Sequence, residues 1–250
     1  MQNYKKVPEV TLLFWIIKII ATTLGETGGD MVSMSMGLGY LTSTLIFGGI
    51  FIGSVIIQIL TKQFHPYIYW LTIVATTTVG TTMADFVDRS LGIGYLGGSL
   101  ILFTLLMSSL TVWRFSLGTI SINSVTTPKV EMFYWITIMF SQTLGTALGD
   151  WTASSTHLGY NGAGVIFGLL LSFTAAAYYF TNISRITLFW IAFILTRPLG
   201  AVLGDFIDKP LADGGLNLSR FTISAILLFC IMTLVMISRR SKRIKRYFNS

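Results

Sequence analysis

Long stretches of the chain carry no Asp, Glu, Lys or Arg, and they constrain the fold more than any other feature. They include residues 31–61, 90–113, 132–149, 151–184 and 221–238. A helix needs about 20 apolar residues to cross the hydrocarbon core of a bilayer. The chain is 53% hydrophobic and only 11% charged, whereas soluble domains are about 25% charged. The sequence therefore predicts an all-α polytopic membrane protein, because a β-barrel would show alternating segments of about ten residues.

One motif occurs four times without a gap. The copies read "FWIIKIIATTLGETGGDMVSMSMGLGY" (14–40), "YWLTIVATTTVGTTMADFVDRSLGIGY" (69–95), "YWITIMFSQTLGTALGDWTASSTHLGY" (134–160) and "FWIAFILTRPLGAVLGDFIDKPLADGG" (189–215). Each copy has a tryptophan second, a glycine ten residues after it and an aspartate five residues later. These matches indicate duplication and divide one membrane domain, 1–250, into four repeats. The repeats cover approximately 9–62, 66–116, 129–182 and 185–240, and a basic tail occupies 241–250.

A second apolar segment follows the motif in every repeat. These segments cover roughly 41–60, 96–113, 162–180 and 219–238. Each repeat is therefore predicted to contribute two helices, which makes eight transmembrane helices in total. Two crossings per repeat make the repeats parallel, unlike the inverted repeats of many transporters. We expect the motif helices, which are the first, third, fifth and seventh, to pack centrally and the second helices to face lipid.

Basic residues in short loops predict the orientation of the chain. If the first helix starts inside, the inner side holds Lys5, Lys6, Lys62, Arg114, Lys129, Arg185, Arg239, Arg240, Lys242, Arg243, Lys245 and Arg246. The outer side then holds Arg89, Lys209 and Arg220. Both termini are therefore predicted to be cytoplasmic. The basic tail is interpreted as a topology signal with anionic-lipid contact rather than as a nucleic-acid binding segment.

A polar stripe runs along each motif helix when residues are counted back from the aspartate in steps of four. It comprises Asp30, Glu26, Thr22 and Lys18; Asp85, Thr81 and Thr77; Asp150, Thr146 and Gln142; and Asp205, Ala201 and Arg197. Such a stripe is costly in lipid and should face protein or water. Beside it lie small-xxx-small pairs that allow close helix packing: Gly25/Gly29, Gly80/Ala84, Gly145/Gly149 and Gly200/Gly204.

The stripe is predicted to carry more negative than positive charge. Glu26 and the four aspartates contribute −5, whereas Lys18 and Arg197 contribute +2 and are the expected charge partners. The unpaired acids must be protonated, hydrated or bound to a cation, and crowded carboxylates raise one another's pKa. The five acids are therefore candidates for cation binding, proton relay or metal ligation. Thr22, Thr77, Gln142, Thr81 and Thr146 are the candidate path-lining residues.

Three interpretations of individual acids stay open. The repeated aspartates are either buried or at solvent-exposed helix ends, where an acid opposes the helix dipole. Glu26 is either the special acid of an asymmetric site or the partner of Lys18. Asp88 and Asp208, each followed by a basic residue, are either exposed ion pairs of little energetic value or an outer vestibule.

The words "KVPEVTLLFW" and "TTLGETGGD", with the fourfold LGxxxGD pattern, resemble a bacterial family of uncharacterised membrane or membrane-anchored repeat proteins. The resemblance covers essentially the whole chain. It implies a location in the bacterial inner membrane and brings no activity, so the function has to be inferred from the residues.

The first functional hypothesis is a transporter or exchanger for a cation, with or without coupling to protons, whose path lies among the motif helices. A channel is the variant in which no alternating motion is needed. Oxygen ligands with few His and Cys residues favour Mn²⁺, Mg²⁺, Ca²⁺, Na⁺ or H⁺. The expected partners are the lipid bilayer and an inorganic cation or proton, and no cofactor beyond a bound divalent cation is predicted. The chain shows no HExxH, GxSxG or Walker A motif, so no enzymatic activity is expected.

Two alternatives belong to other functional classes. The first is a non-transporting scaffold, sensor or lipid-binding bundle whose charges form internal ion pairs. The second is a pigment- or cofactor-binding bundle in which Lys18 holds a Schiff base.

Overall fold

The computed structural model describes residues 6–61, 63–155 and 158–248, with side chains up to residue 239. The predicted tail 241–250, together with Lys5 and Lys62, lies outside the described side chains. The long elements of the described chain are eight α-helices: α1 (Leu12–Asp30), α2 (Gly39–Leu60), α3 (Pro66–Asp85), α4 (Gly94–Leu117), α5 (Pro128–Ser155), α6 (Gly159–Phe180), α7 (Arg185–Asp208) and α8 (Arg220–Phe248). The prediction of an all-helical fold built from four repeats is confirmed.

Local sequence signals set the helix boundaries. The Thr11 hydroxyl accepts a hydrogen bond from the Phe14 amide and caps α1, as threonine commonly does at a helix start. Pro66 and Pro128 occupy the first turns of α3 and α5, where the missing N–H costs nothing. The repeated Gly-Tyr words place a glycine with positive φ at the start of α2, α4 and α6, which turns the chain back after each motif helix: Gly39 (75°), Gly94 (74°) and Gly159 (62°).

Six helices of the described chain are long and apolar enough to cross a membrane, which supports a membrane protein. They are α1, α2, α4, α6, α7 and α8. The eight crossings predicted from the sequence are thus supported for six helices. The other two helices, α3 and α5, are less apolar. They carry many hydroxyl and amide side chains on surfaces that other helices cover.

The motif helices α1, α3, α5 and α7 form a closed ring. Contacts join α1 to α3, α3 to α5, α5 to α7 and α7 back to α1. All four run in the same direction, because their aspartates meet at one end of the bundle and their aromatic pairs meet at the other. We call these the aspartate end and the aromatic end.

The second helices surround this ring and are displaced by one repeat. α2 packs on α3, α4 on α5, α6 on α7, and α8 closes the circle on α1. These peripheral helices cover far less of their own surface than the motif helices do. In their apolar windows 11% of α6 is buried, against 61% of α1. Each peripheral helix therefore supports the motif helix of the next repeat.

The small residues of each motif helix pack against the polar stripe of the next motif helix. A Cβ on the repeated glycine would lie between 2.1 and 3.1 Å from an atom of the residue eight positions before the neighbouring aspartate. The pairs are Gly25 with Thr77, Gly80 with Gln142, Gly145 with Arg197, and Gly200 with Thr22. The predicted small-residue faces are therefore the places where the helices approach one another most closely.

Aromatic side chains fill the opposite end of the ring. Ring centroids join every pair of neighbouring motif helices: Phe14 to Trp70 (5.5 Å), Tyr69 to Trp135 (5.7 Å), Tyr134 to Trp190 (6.4 Å), and Trp15 to Phe189 (5.8 Å). The Tyr69 and Tyr134 hydroxyls also share a hydrogen bond of 2.7 Å. This layer packs the aromatic end of the bundle.

Candidate functional site

The four repeated aspartates lie buried at the aspartate end of the ring. Asp150, the most exposed of them, is only 5% exposed, so the alternative of solvent-exposed helix ends is wrong. Asp30 and Asp85 end their α-helices, and a π-helical turn follows each of them, at Met31–Ser35 and Phe86–Ser90. Such turns frequently mark functional sites. The ring thus brings one carboxylate from every repeat into one layer.

Two basic side chains each bridge neighbouring repeats in this layer. Arg89 contacts Asp85 at 2.9 Å and Asp150 at 3.2 Å, which joins the second repeat to the third. Lys209 contacts Asp205 at 3.1 Å and also Asp30, which joins the fourth repeat to the first. The two bridges are equivalent by sequence, since each basic residue follows its own aspartate by four positions.

The Lys209 ammonium, which follows the end of α7, is held in its charged form by these carboxylates. Burial alone would lower the pKa of this group. Asp205, Asp30 and Asp208 outweigh that effect, so the pKa of Lys209 lies above the ordinary lysine value. A charged ammonium therefore bridges α1 and α7.

Asp208 and Asp88 are buried rather than part of an exposed vestibule. Asp208 pairs with Arg220 (2.6 Å), which also reaches Asp30 at 3.6 Å. Neither Asp88 oxygen has a hydrogen-bond partner among the described residues, although Asp88 is only 5% exposed. The expected exposed pairs Asp88–Arg89 and Asp208–Lys209 are therefore absent from the described side chains.

Glu26 pairs with Arg197, not with Lys18. The Arg197 Nη2 donates to Glu26 Oε2 (2.9 Å), to the Thr81 hydroxyl (2.5 Å) and to the Thr146 hydroxyl (2.5 Å). All four side chains are buried, and each comes from a different motif helix. The proposed pairing of Glu26 with Lys18 is wrong because the ring places α7, rather than the lower part of α1, against this carboxylate.

The remaining stripe residues lie closer to the aromatic end. Lys18 is fully buried, donates to Gln142 Oε1 (3.3 Å) and lies 4.1 Å from the centre of the Phe193 ring. The Thr22 hydroxyl donates to the Thr196 carbonyl (3.2 Å), whereas the Thr77 hydroxyl has no partner among the described residues. Helix α7 continues through Pro198 in this region.

Carboxylate oxygens of the first repeat come close to carboxylate oxygens of the third and fourth repeats. One oxygen each from Glu26, Asp150 and Asp205 lies within 4.8 Å of the others, and the same holds for Asp30, Asp205 and Asp208. Both groups are buried. Hard cations prefer oxygen ligands of this kind, so the residues fit a divalent metal or protons shared among carboxylates.

Sequence reasoning missed Arg89, Lys209 and Arg220 as partners of the buried acids. The sequence pattern places them in outer loops, where basic residues report on topology. The spacing of four residues from Asp85 to Arg89 and from Asp205 to Lys209 is a signal that could have identified two of them. Arg220 lies fifteen residues after Asp205, at the start of α8. The turn between α7 and α8 brings it to the aspartate layer, so no short spacing in the sequence identifies it.

A family model described as Repeat of Unknown Function (DUF347) matches the chain four times. The matches cover residues 13–64, 68–119, 133–184 and 188–243. No curated protein and no solved structure matches the chain.

Proposed function

The chain belongs to this family of repeats of unknown function, and we propose from its geometry that it is a membrane transporter or exchanger for a cation, coupled to protons. The observation that carries the proposal is the convergence of Glu26, Asp150 and Asp205 from three motif helices inside a buried bundle. The proposed activity is transport and not catalysis.

We place the protein in the bacterial inner membrane with eight crossings and both termini in the cytoplasm. Six helices already have the required length and apolar character. The other two, α3 and α5, belong to the same ring and run parallel to α1 and α7, which supports crossings for them as well. In this orientation the aspartate end faces outward and the aromatic end faces the cytoplasm.

The charge in the core favours a cation or protons as cargo. Seven buried carboxylates lie in or next to the layer at the aspartate end, and four basic side chains contact them, which leaves an excess of three negative charges. The acids are Glu26, Asp30, Asp85, Asp88, Asp150, Asp205 and Asp208, and the basic residues are Arg89, Arg197, Lys209 and Arg220. Uncompensated charge is expensive inside a membrane protein. Protons or a bound cation would remove this cost, and exchanging one for the other would couple them.

Both ends of the polar interior are closed, as an occluded transporter requires. Ion pairs join the motif helices at the aspartate end, and aromatic contacts join them at the other end. Transport would open these layers one after the other, so that the cargo meets only one side at a time. In a channel the two layers would open together.

The first ion-flux test uses purified protein in lipid vesicles. Mn²⁺, Ca²⁺, Na⁺ and H⁺ fluxes are followed with ion-sensitive dyes for wild type, Asp150→Asn and Asp205→Asn. We expect wild type to carry at least one of these ions and each variant to lose about tenfold or more of that flux, because each removes a carboxylate of the converging group.

Asp213→Asn is the matched control for these variants. Asp213 is exposed and lies beyond the end of α7, near the same end of the bundle. Its flux should equal that of wild type. Equal flux in all four proteins, or none in any of them, would reject the transport proposal.

A second candidate is a non-transporting membrane module stabilised by internal ion pairs. The observation in its favour is that Arg89, Lys209 and Arg220 each contact two carboxylates. Such bridges could simply lock the ring. Absence of flux, together with loss of stability in Asp150→Asn, would support this candidate.

A further inference from the structure

A buried group of nitrogen donors lies below the carboxylates, towards the aromatic end. It consists of Lys18 on α1, Gln142 on α5 and Arg197 on α7, and each of these residues is fully buried. Lys18 and Gln142 contact each other at 3.3 Å. Arg197 packs on the same helix as Gln142, because its side chain lies against Gly145 and its Nη2 donates to the hydroxyl of Thr146, four residues after Gln142. Three helices of the ring therefore direct basic or amide groups to one region of the core.

Most donors in this group lack a hydrogen-bond acceptor. The Arg197 Nε and Nη1 and the Gln142 Nε2 have no partner in the described part of the chain. Gln142 Oε1 is the one acceptor that this part of the chain offers to the Lys18 ammonium, which carries three N–H bonds. Buried donors are nearly always satisfied in proteins, so this number of open donors indicates a missing acceptor.

Charge identifies the kind of acceptor that is missing. The carboxylate of Glu26 is engaged by the Arg197 Nη2, and Lys18 contacts no carboxylate among the described residues. Its terminal nitrogen lies 4.1 Å from the centre of the Phe193 ring, where an ammonium makes a cation–π contact. Water would satisfy the donors but would leave this charge uncompensated in a region of low dielectric. A single negative charge would satisfy both requirements.

We propose that Lys18, Gln142 and Arg197 form a binding site for one small monovalent inorganic anion such as chloride, bromide or nitrate. The anion accepts hydrogen bonds from the Lys18 ammonium, the Gln142 amide and the free edge of the Arg197 guanidinium. Lys18 lies two helical turns from Glu26 along α1, whereas Arg197 joins the site to the carboxylate group through its Nη2 contact with Glu26. It does not depend on cation transport.

Thermal unfolding in detergent tests this site, with sodium chloride, bromide or nitrate compared with sodium gluconate at the same ionic strength. Gluconate is too large for a buried site. A ligand that binds only the folded state raises the unfolding midpoint in a saturable way, by roughly 5 °C at about one hundred times its dissociation constant. We expect this rise in wild type and in Lys129→Met, which removes an exposed lysine. We expect no rise in Lys18→Met.

Gln142→Glu provides a second, independent test that does not remove a basic group. The new carboxylate replaces the anion beside Lys18, so this variant should have a high midpoint in gluconate and no further rise in chloride. Equal midpoints of wild type in chloride and gluconate would overturn the proposal. So would a response of wild-type size in Lys18→Met or, if that variant does not fold, in Gln142→Glu.

Discussion

Arg197 is the residue on which the centre of the bundle depends most. Its guanidinium contacts Glu26, Thr81 and Thr146, which come from the other three motif helices. Because all of these side chains are buried, neither charge of the Glu26–Arg197 pair can be replaced by water when its partner is lost. The pair therefore joins the first repeat to the fourth. At this level of the polar interior, acidic, basic and hydroxyl side chains contact one another.

Removing either member of this pair should destabilise the protein strongly. We expect Glu26→Gln and Arg197→Gln each to lower the free energy of unfolding by about 3–5 kcal/mol, because each leaves a buried charge without its partner. The double variant should lose much less than the sum of the two. Thermal unfolding of the purified proteins measures these differences, with the exposed Lys129→Gln as control. Additive losses would show that the two charges act independently.

At the scale of the element, close helix contact depends on the repeated glycines. A Cβ on Gly145 would lie 2.5 Å from the Arg197 Cβ and 3.0 Å from the Pro198 ring, neither of which can move without shifting α7. We expect Gly145→Ala to lower the free energy of unfolding by about 1–3 kcal/mol, measured by thermal unfolding.

The same substitution on a peripheral helix should have the opposite effect. Gly53 on α2 has no atom within 4 Å of the position of a Cβ. Gly53→Ala should therefore leave stability unchanged or raise it by about 0.5–1 kcal/mol through helix propensity. A Gly145→Ala protein as stable as Gly53→Ala would show that α5 and α7 are not in close contact.

The sequence predicts which residues form each helix but not which helices become neighbours. The charge-free runs and the glycine spacing identify the helices and their close faces. The four peripheral helices have the same apolar character, so nothing in their pattern states that α2 covers α3 rather than α1. Likewise the stripe predicts that Glu26 needs a basic partner, while the choice of Arg197 over Lys18 depends on how the ring closes.

At the scale of the whole molecule, the contact between α8 and α1 closes the structure. The Ser224 and Thr27 hydroxyls share a hydrogen bond of 3.0 Å across this contact, although 197 positions separate them in the chain. In a Cys230→Ser background, Thr27→Cys combined with Ser224→Cys should form an intramolecular disulfide under mild oxidation. Protection of both thiols from alkylation in denaturant measures this bond, because both positions are buried in the folded protein. Either single variant should be fully alkylated under the same conditions. Two free thiols in the oxidised double variant would show that the ring is open.

The displacement of each peripheral helix by one repeat also bears on how such a protein could have arisen. In a chain of only two repeats, the last peripheral helix would need the motif helix of a following repeat. The equivalent motif helix is the first helix of the same kind of chain. Two such chains could pack so that the last helix of each contacts the first helix of the other. They would form the same closed ring with twofold symmetry, and fusing their genes would preserve it. Fusion also allows the two halves to diverge. A single Glu26 facing a single Arg197 is possible only when the two halves differ in sequence, so this asymmetric contact in the core requires all four repeats in one chain.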